Sequence, residues 1–264
     1  MDIFEKRIVY QIPGMEKVEP HSGVSYGGAD QEGLGMDVYV PPGLPEKTRV
    51  PGVVLIHGGP GPRGSGRPPR TWGVFRSYGE LLAASGLVAA VPTLRYHAWD
   101  AQEQPAADLE AAVRRLRERA DDFQLDPDRL ALWAFSGGGI FLTSYLRERP
   151  SWARCLVAFY PILDLAPFRE TYPAIDAERA ERYALASGLA GEGPVPPLLV
   201  GRAGLDNPRL NQGVDGFVQA ALIANAPLEL INHPQGRHGF DILDDDAHSR
   251  ATVARAVDFL KAWL

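Results

Sequence analysis

A serine stands at position 136 among small residues, in Ala134-Phe135-Ser136-Gly137-Gly138-Gly139, directly after the apolar run Leu130-Ala131-Leu132-Trp133-Ala134. The run reads as a buried strand, and Ile140-Phe141-Leu142 opens a second apolar run of helical length. A sharp strand-to-helix turn holds a serine hydroxyl clear of the backbone, where it can attack a carbonyl carbon. The strained backbone of such a turn leaves no room for bulk two residues before or after the serine. Ala134 occupies a position where glycine is more usual. The same residues also fit a glycine-rich turn that cradles phosphate, although the lysine such a loop normally carries is missing. The serine alone does not decide between these chemistries. Acyl transfer also needs a base, an acid and donors for an oxyanion.

Donors are offered by His57-Gly58-Gly59-Pro60, which follows the apolar run at 50–56. Glycines there let the chain turn so that N–H groups face a developing negative charge. A tetrahedral oxyanion needs two such groups, one from this loop and one from Gly137, the residue after the serine. Gly59 is the favoured donor in the loop, with Gly58 as the alternative. A Gly-Gly turn at a strand end also arises for purely steric reasons. His57 is read as a prop for the loop rather than as the base, since it starts the oxyanion loop.

Six histidines are present. His238, in Gly236-Arg237-His238-Gly239-Phe240, is flanked by glycines that let a loop swing its imidazole toward the serine. His233 is the runner-up, held at a strand end ahead of Pro234. The acid must orient the imidazole and stabilise its protonated form. Asp206 lies in the loop after the strand that begins at Pro197, and Asp164, after the preceding strand, is the alternative. An aspartate before Asn207-Pro208 also suits a turn or a helix cap. Asp241 and the run Asp244-Asp245-Asp246 are read as solvated charges near the N-terminus of the closing helix, where the helix dipole favours them.

The elements that must position these groups alternate along the chain. Apolar strands are predicted near 50–56, 87–92, 130–135, 155–160, 197–200 and 228–232, and helices near 74–84, 102–120, 140–149, 210–224 and 247–264. Asp126-Pro127-Asp128 reads as a turn ahead of the serine strand. Two short strands at 7–11 and 36–40 precede them, the second alternating like a half-exposed edge hairpin, with a loop over 21–35. Such alternation implies one α/β domain over 1–264, a mostly parallel doubly wound sheet of about eight strands with helices on both faces. Ligands bind such sheets beyond the carboxyl ends of the strands. Every candidate above falls just after a strand, so all emerge at that edge. Residues 166–193 interrupt the alternation and are read as a small lid or cap over the site.

Composition narrows the partners. With 45% hydrophobic and 23% charged residues, the 264-residue chain has the balance of an ordinary globular protein. A formal net charge of −6 argues against nucleic acid, whose phosphates favour a basic surface. One cysteine, Cys155, excludes an intramolecular disulfide and a thiolate metal cluster, and its apolar neighbours suggest an inert buried thiol. The N-terminus lacks the apolar core of a signal peptide and no run reaches membrane-spanning length, so a cytoplasmic protein without membrane association is expected.

Taken together, His57-Gly58-Gly59-Pro60, Ala134-Phe135-Ser136-Gly137-Gly138, Asp206 and Arg237-His238-Gly239-Phe240 resemble the α/β-hydrolase-fold serine esterases. The nearest branches are the dienelactone-hydrolase, acetyl-esterase and prolyl-oligopeptidase-like ones, over roughly 36–264. Ser136, Asp206 and His238 follow the serine–acid–histidine order of that fold. Dienelactone hydrolases use cysteine where this chain has Ser136, a departure that favours ester chemistry. The resemblance implies a cofactor-free and metal-free esterase cleaving small or medium acyl esters through an acyl-enzyme, as a monomer or homodimer. Alternatives are a peptidase or amidase of the prolyl-oligopeptidase-like type, for which no long N-terminal gating domain is seen, and a non-catalytic ligand-binding protein on the same scaffold. Arg63, in the Arg-rich loop 62–72 with Arg67 and Arg70, is a candidate contact for a carboxylate-bearing substrate, and a solvated loop is the plainer reading. Phe168, with Tyr96 and Trp99, is a candidate wall for the acyl or alcohol group, and core packing explains these three equally well.

Overall fold

The computed structural model of the protein describes residues 2–27, 34–59, 67–99 and 101–264. Its strands are β1 Pro20–Ser25, β2 Gly35–Tyr39, β3 Val50–Ile56, β4 Val88–Pro92, β5 Leu125–Phe135, β6 Ala153–Phe159, β7 Leu198–Ala203 and β8 Leu228–His233. They form one sheet in the order β1-β2-β4-β3-β5-β6-β7-β8. β2 runs antiparallel to β1 and β4, and every other pair is parallel. The helices are α1 Gly73–Ala84, α2 Glu103–Glu118, α3 Leu142–Glu148, α4 Ala177–Arg182, α5 Pro208–Ile223, α6 Phe240–Leu243 and α7 Ala247–Trp263.

Continuous apolar strands are what a sheet covered on both faces demands, because successive side chains point to opposite sides. Val54 and Ile56 of β3, Leu132 and Ala134 of β5, and Leu156 and Ala158 of β6 join a core with α2, α3 and α5. Their neighbours Val53, Leu55, Ala131, Trp133 and Val157 join a second core with α1 and α7. The parallel strands therefore end at one edge, and the loops that follow β3, β5, β7 and β8 carry His57, Ser136, Asp206 and His238. Among the described residues no helix is long and apolar enough to cross a membrane.

Three local expectations are corrected. The first strand is Pro20–Ser25, overlapping the start of the stretch read as a loop, while 7–11 lies outside the sheet. β1 is mostly exposed and carries no apolar alternation, so its pairing with β2 was invisible to a hydrophobic pattern. The segment at 7–11 is apolar for another reason: Ile8 is buried, and its N–H donates to Ser77 Oγ of α1 at 3.1 Å. Nor is β2 a half-exposed edge. It is buried throughout between β1 and β4, and its polar member, Asp37, accepts from Gly23 N–H at 2.8 Å.

The turn expected at Asp126-Pro127-Asp128 survives inside β5 as an irregularity. Asp126 Oδ1 accepts from Asp128 N–H at 3.1 Å while the pairing with β3 shifts register from Val50↔Leu125 to Gly52↔Leu130. The interrupting segment holds α4 and two 3-10 turns. It is tied down by Leu185 N–H to Leu163 O at 2.8 Å and by Arg149 to Leu189 O at 2.9 Å.

Candidate active site

At the end of β5 the chain turns at Ser136, whose φ is +52°, into a 3-10 turn over Ser136–Phe141 that leads into α3. A left-handed φ on a serine is costly and is held here by the surrounding backbone. A side chain at Gly138 would meet the carbonyl oxygens of His57 and Ile56 at 2.7 Å, so glycine is required two residues after the serine. Ala134, two residues before it, still lies in β5, paired with Ile56 and Ala158, where a methyl fits the core. This accounts for alanine on one side of the turn and glycine on the other.

Ser136 Oγ lies 2.8 Å from His238 Nε2, and His238 Nδ1 lies 2.7 Å from Asp206 Oδ2. The carboxylate can only accept at neutral pH, so Nδ1 carries the proton and Nε2 is left to accept from the serine hydroxyl. The Asp206 side chain is 5% exposed and that of His238 42% exposed, placing the acid at depth and the imidazole toward solvent. The other Asp206 oxygen, Oδ1, accepts from Asn207 N–H at 2.7 Å. The acid and base loops are fastened together: Gly204 N–H donates to His233 O at 2.8 Å and Leu205 N–H to Gly236 O at 2.9 Å.

The alternatives lie elsewhere. His233 is buried against α7, with Nε2 2.9 Å from Ser249 Oγ and its ring stacked on His248 at 4.2 Å. Burial, and then the neighbouring His248, hold its pKa below the usual histidine value. Asp164 accepts from Ala166 N–H at 2.8 Å in a local turn. His57 is buried, its Nε2 accepting from Leu94 N–H at 2.9 Å and its Nδ1 2.7 Å from Gly58 O. Burial lowers its pKa to about 4, which keeps a neutral imidazole bracing the loop.

The loop after β3 closes on the serine turn. A Cβ at Gly58 would lie 2.8 Å from Ser136 Cβ, and one at Gly137 would run into Gly59 O, so Gly59 and Gly137 face each other across a narrow gap. Gly137 belongs to the first residues of a 3-10 turn, whose N–H groups have no acceptor within the turn. Among the described residues no backbone carbonyl accepts from Gly59 N–H. Behind Gly59 sits the Tyr96 ring, which its Cβ would strike. From Tyr96 the rings continue: the half-buried Trp99 lies at 6.2 Å and stacks on the buried Phe168 at 5.9 Å and 11°. Phe168 is thus two rings removed from the loop. Arg63 lies outside the described residues. Arg67 pairs with Glu5, and Arg70 lies 3.7 Å from Asp37.

Such an edge-on arrangement of serine, imidazole and carboxylate beyond a β1-β2-β4-β3-β5-β6-β7-β8 sheet decides the architecture. The chain has the α/β-hydrolase fold. Its structure is similar to that of esterase Est2 from the planctomycete Thermogutta terrifontis with propionate bound, at 22% identity, a TM-score of 0.74, and 95% and 96% of the two chains covered. The butyrate-bound form of that esterase matches at 23% identity and 0.73, with 95% of each chain covered. The form phosphorylated by paraoxon matches at 21% and 0.72, with 96% and 95% covered. Within the α/β-hydrolase fold, residues 36–149 match the BD-FAE family, an esterase family of the same fold type. No curated protein matches the chain in sequence.

Sequence reasoning missed one group. Asp241, read as a solvated charge, is completely buried: Tyr78 OH donates to its Oδ2 at 2.7 Å, and Tyr160 OH lies 2.9 and 3.0 Å from its two oxygens. Burial raises its pKa to about 6 against the lowering effect of the two phenols. Asp244 is likewise engaged, accepting from the Arg237 backbone and guanidinium at 2.8 and 2.6 Å. Asp246 caps α7 through Ser249 N–H at 2.8 Å, as the dipole argument expected. Cys155 is buried, and burial pushes its thiol up to about 12.

Proposed function

We propose that the protein is a serine hydrolase that cleaves carboxylic esters of small or medium acyl groups. The observation that carries this reading is the unbroken hydrogen-bonded chain from Ser136 Oγ through His238 to Asp206. Ser136 Oγ attacks the ester carbonyl carbon as its proton passes to His238 Nε2. The carbonyl oxygen takes the negative charge between the N–H groups of Gly59 and Gly137, and Asp206 stabilises the imidazolium. Collapse of the tetrahedral intermediate breaks the bond to the alkoxy group, which leaves with the proton from His238. Water then gives a proton to His238 and attacks the acyl-enzyme, which releases the acid and restores the Ser136 hydroxyl.

The similarity in structure to an esterase, one form of which is phosphorylated by paraoxon, favours an ester over an amide as the acyl donor. The row Tyr96, Trp99, Phe168 supports an apolar wall for the acyl or alcohol group. The test is covalent: a fluorophosphonate probe is expected to label the native protein at Ser136, read by mass spectrometry of the peptide. Labelling elsewhere, or none of folded protein, would overturn the reading.

Gly137→Ala probes the oxyanion site. Its methyl group would push into Gly59 O and part the two donors. Loss of donor geometry is expected to lower kcat for p-nitrophenyl acetate by about 10²- to 10³-fold. A variant that folds, by circular dichroism, and keeps the wild-type kcat would remove these glycines from the mechanism.

A further inference from the structure

The mechanism leaves the fully buried carboxylate of Asp241 unused, three residues after the proposed base. Burying an ionised group is costly, and proteins retain one where a partner compensates it. Among the described residues no lysine or arginine contributes to its charge balance. The groups that face it are the hydroxyl of Tyr78 from α1, the hydroxyl of Tyr160 from the end of β6, and, by charge, His238 from its own loop. Asp206, from the loop after β7, acts in turn on Tyr160. The carbonyl of Asp241 accepts from Val9 N–H at 2.7 Å, which ties the N-terminal segment to the same spot.

Tyr160 links this carboxylate to the site. Its ring packs against the His238 imidazole with centroids 4.9 Å apart and planes at 61°. The two hydrogen bonds of His238, to Ser136 and to Asp206, leave from opposite sides of the imidazole and define an axis about which the ring can still rock. A ring packed against the imidazole removes that freedom, provided the ring is itself fixed. Tyr160 has φ +36°, its N–H donates to Gly201 O at 2.7 Å, and its hydroxyl is clamped on Asp241.

We propose that Asp241, acting through Tyr160, is a positioning residue for His238, and that its buried negative charge also favours the imidazolium formed during turnover. This rests on the esterase reading above. The test compares wild type, Asp241→Asn and Tyr160→Phe in kcat and KM for p-nitrophenyl acetate across pH, and in the NMR titration of the His238 ring.

In Asp241→Asn, kcat is expected to fall by about tenfold with KM within about twofold, as for misplacement of a catalytic group. Removing the negative charge also moves the acid limb of kcat/KM to lower pH. Tyr160→Phe keeps the ring and frees it from the carboxylate, so a fall in kcat of about threefold at unchanged KM is expected. Should Asp241→Asn fail to fold, Tyr160→Phe carries the test. Wild-type kcat and acid limb in the folded variants, with only the melting temperature lowered, would reduce Asp241 to a structural role and overturn the proposal. A wild type that neither turns over esters nor labels with fluorophosphonate would instead defeat the esterase reading, and the NMR titration would still report whether Asp241 acts on His238.

Discussion

Ser136→Ala is expected to lower kcat for p-nitrophenyl acetate by about 10⁴- to 10⁶-fold, the range found when the nucleophile of a serine triad is removed. The size follows from what is lost. Without Oγ no acyl-enzyme forms, and hydrolysis must proceed by direct attack of water on a substrate held by the oxyanion donors alone. The fold should survive: among the described residues Ser136 Oγ makes one hydrogen bond, to the partly exposed His238, so truncation costs about 1 kcal/mol. Alanine adopts the left-handed turn about as readily as serine does, and φ +52° stays a shared burden of both proteins. Near-normal stability with abolished turnover is therefore the expected pair of results, checked by steady-state kinetics and urea unfolding. Activity within tenfold of wild type would place the nucleophile elsewhere.

How far the chain announces this site depends on how local each feature is. The turn at Ser136 is legible because its determinants are consecutive: an apolar strand, a serine, then glycines that the carbonyls of β3 force on the chain. The parallel strands are legible because two covered faces require uninterrupted apolar runs. β1 escaped because Pro20–Ser25 is stabilised by pairing with β2 and buries little. Asp37 misled for the opposite reason, a polar residue in a wholly buried strand whose partner, Gly23, is fourteen residues away. Asp241 was the hardest to see: its partners Tyr78 and Tyr160 lie 163 and 81 residues off in sequence, and next to Asp244, Asp245 and Asp246 it passes for one more surface charge. The stack of Trp99 on Phe168 is equally a product of the third dimension. The choice between Asp206 and Asp164 is of this kind too, because both follow strands and only the loops that cross the sheet edge bring one of them to the imidazole.

That choice can be made experimentally with Asp206→Asn, for which a loss of about 10⁴-fold in kcat is expected. The local hydrogen bonds say why an isosteric change should be so damaging. Asp206 accepts twice, from Asn207 N–H at Oδ1 and from His238 Nδ1–H at Oδ2, each at 2.7 Å. Asparagine has one acceptor oxygen. If that oxygen stays on the Asn207 N–H, the amide group faces Nδ1, which must then accept a hydrogen bond. The imidazole proton moves to Nε2, the nitrogen that faces Ser136 Oγ, and His238 can no longer remove the serine proton. The alternative flip turns the amide group toward the exposed Asn207 N–H and loses that hydrogen bond, at a cost of about 1 kcal/mol. KM should change little, since Asp206 touches the base and not the substrate, and fluorophosphonate labelling should slow in parallel with kcat. Asp164→Asn serves as the contrast: it perturbs only the turn at Ala166 and should leave kcat within about twofold. The reverse ranking of the two variants would transfer the role of acid to Asp164 and require the β6 loop to approach His238 during turnover.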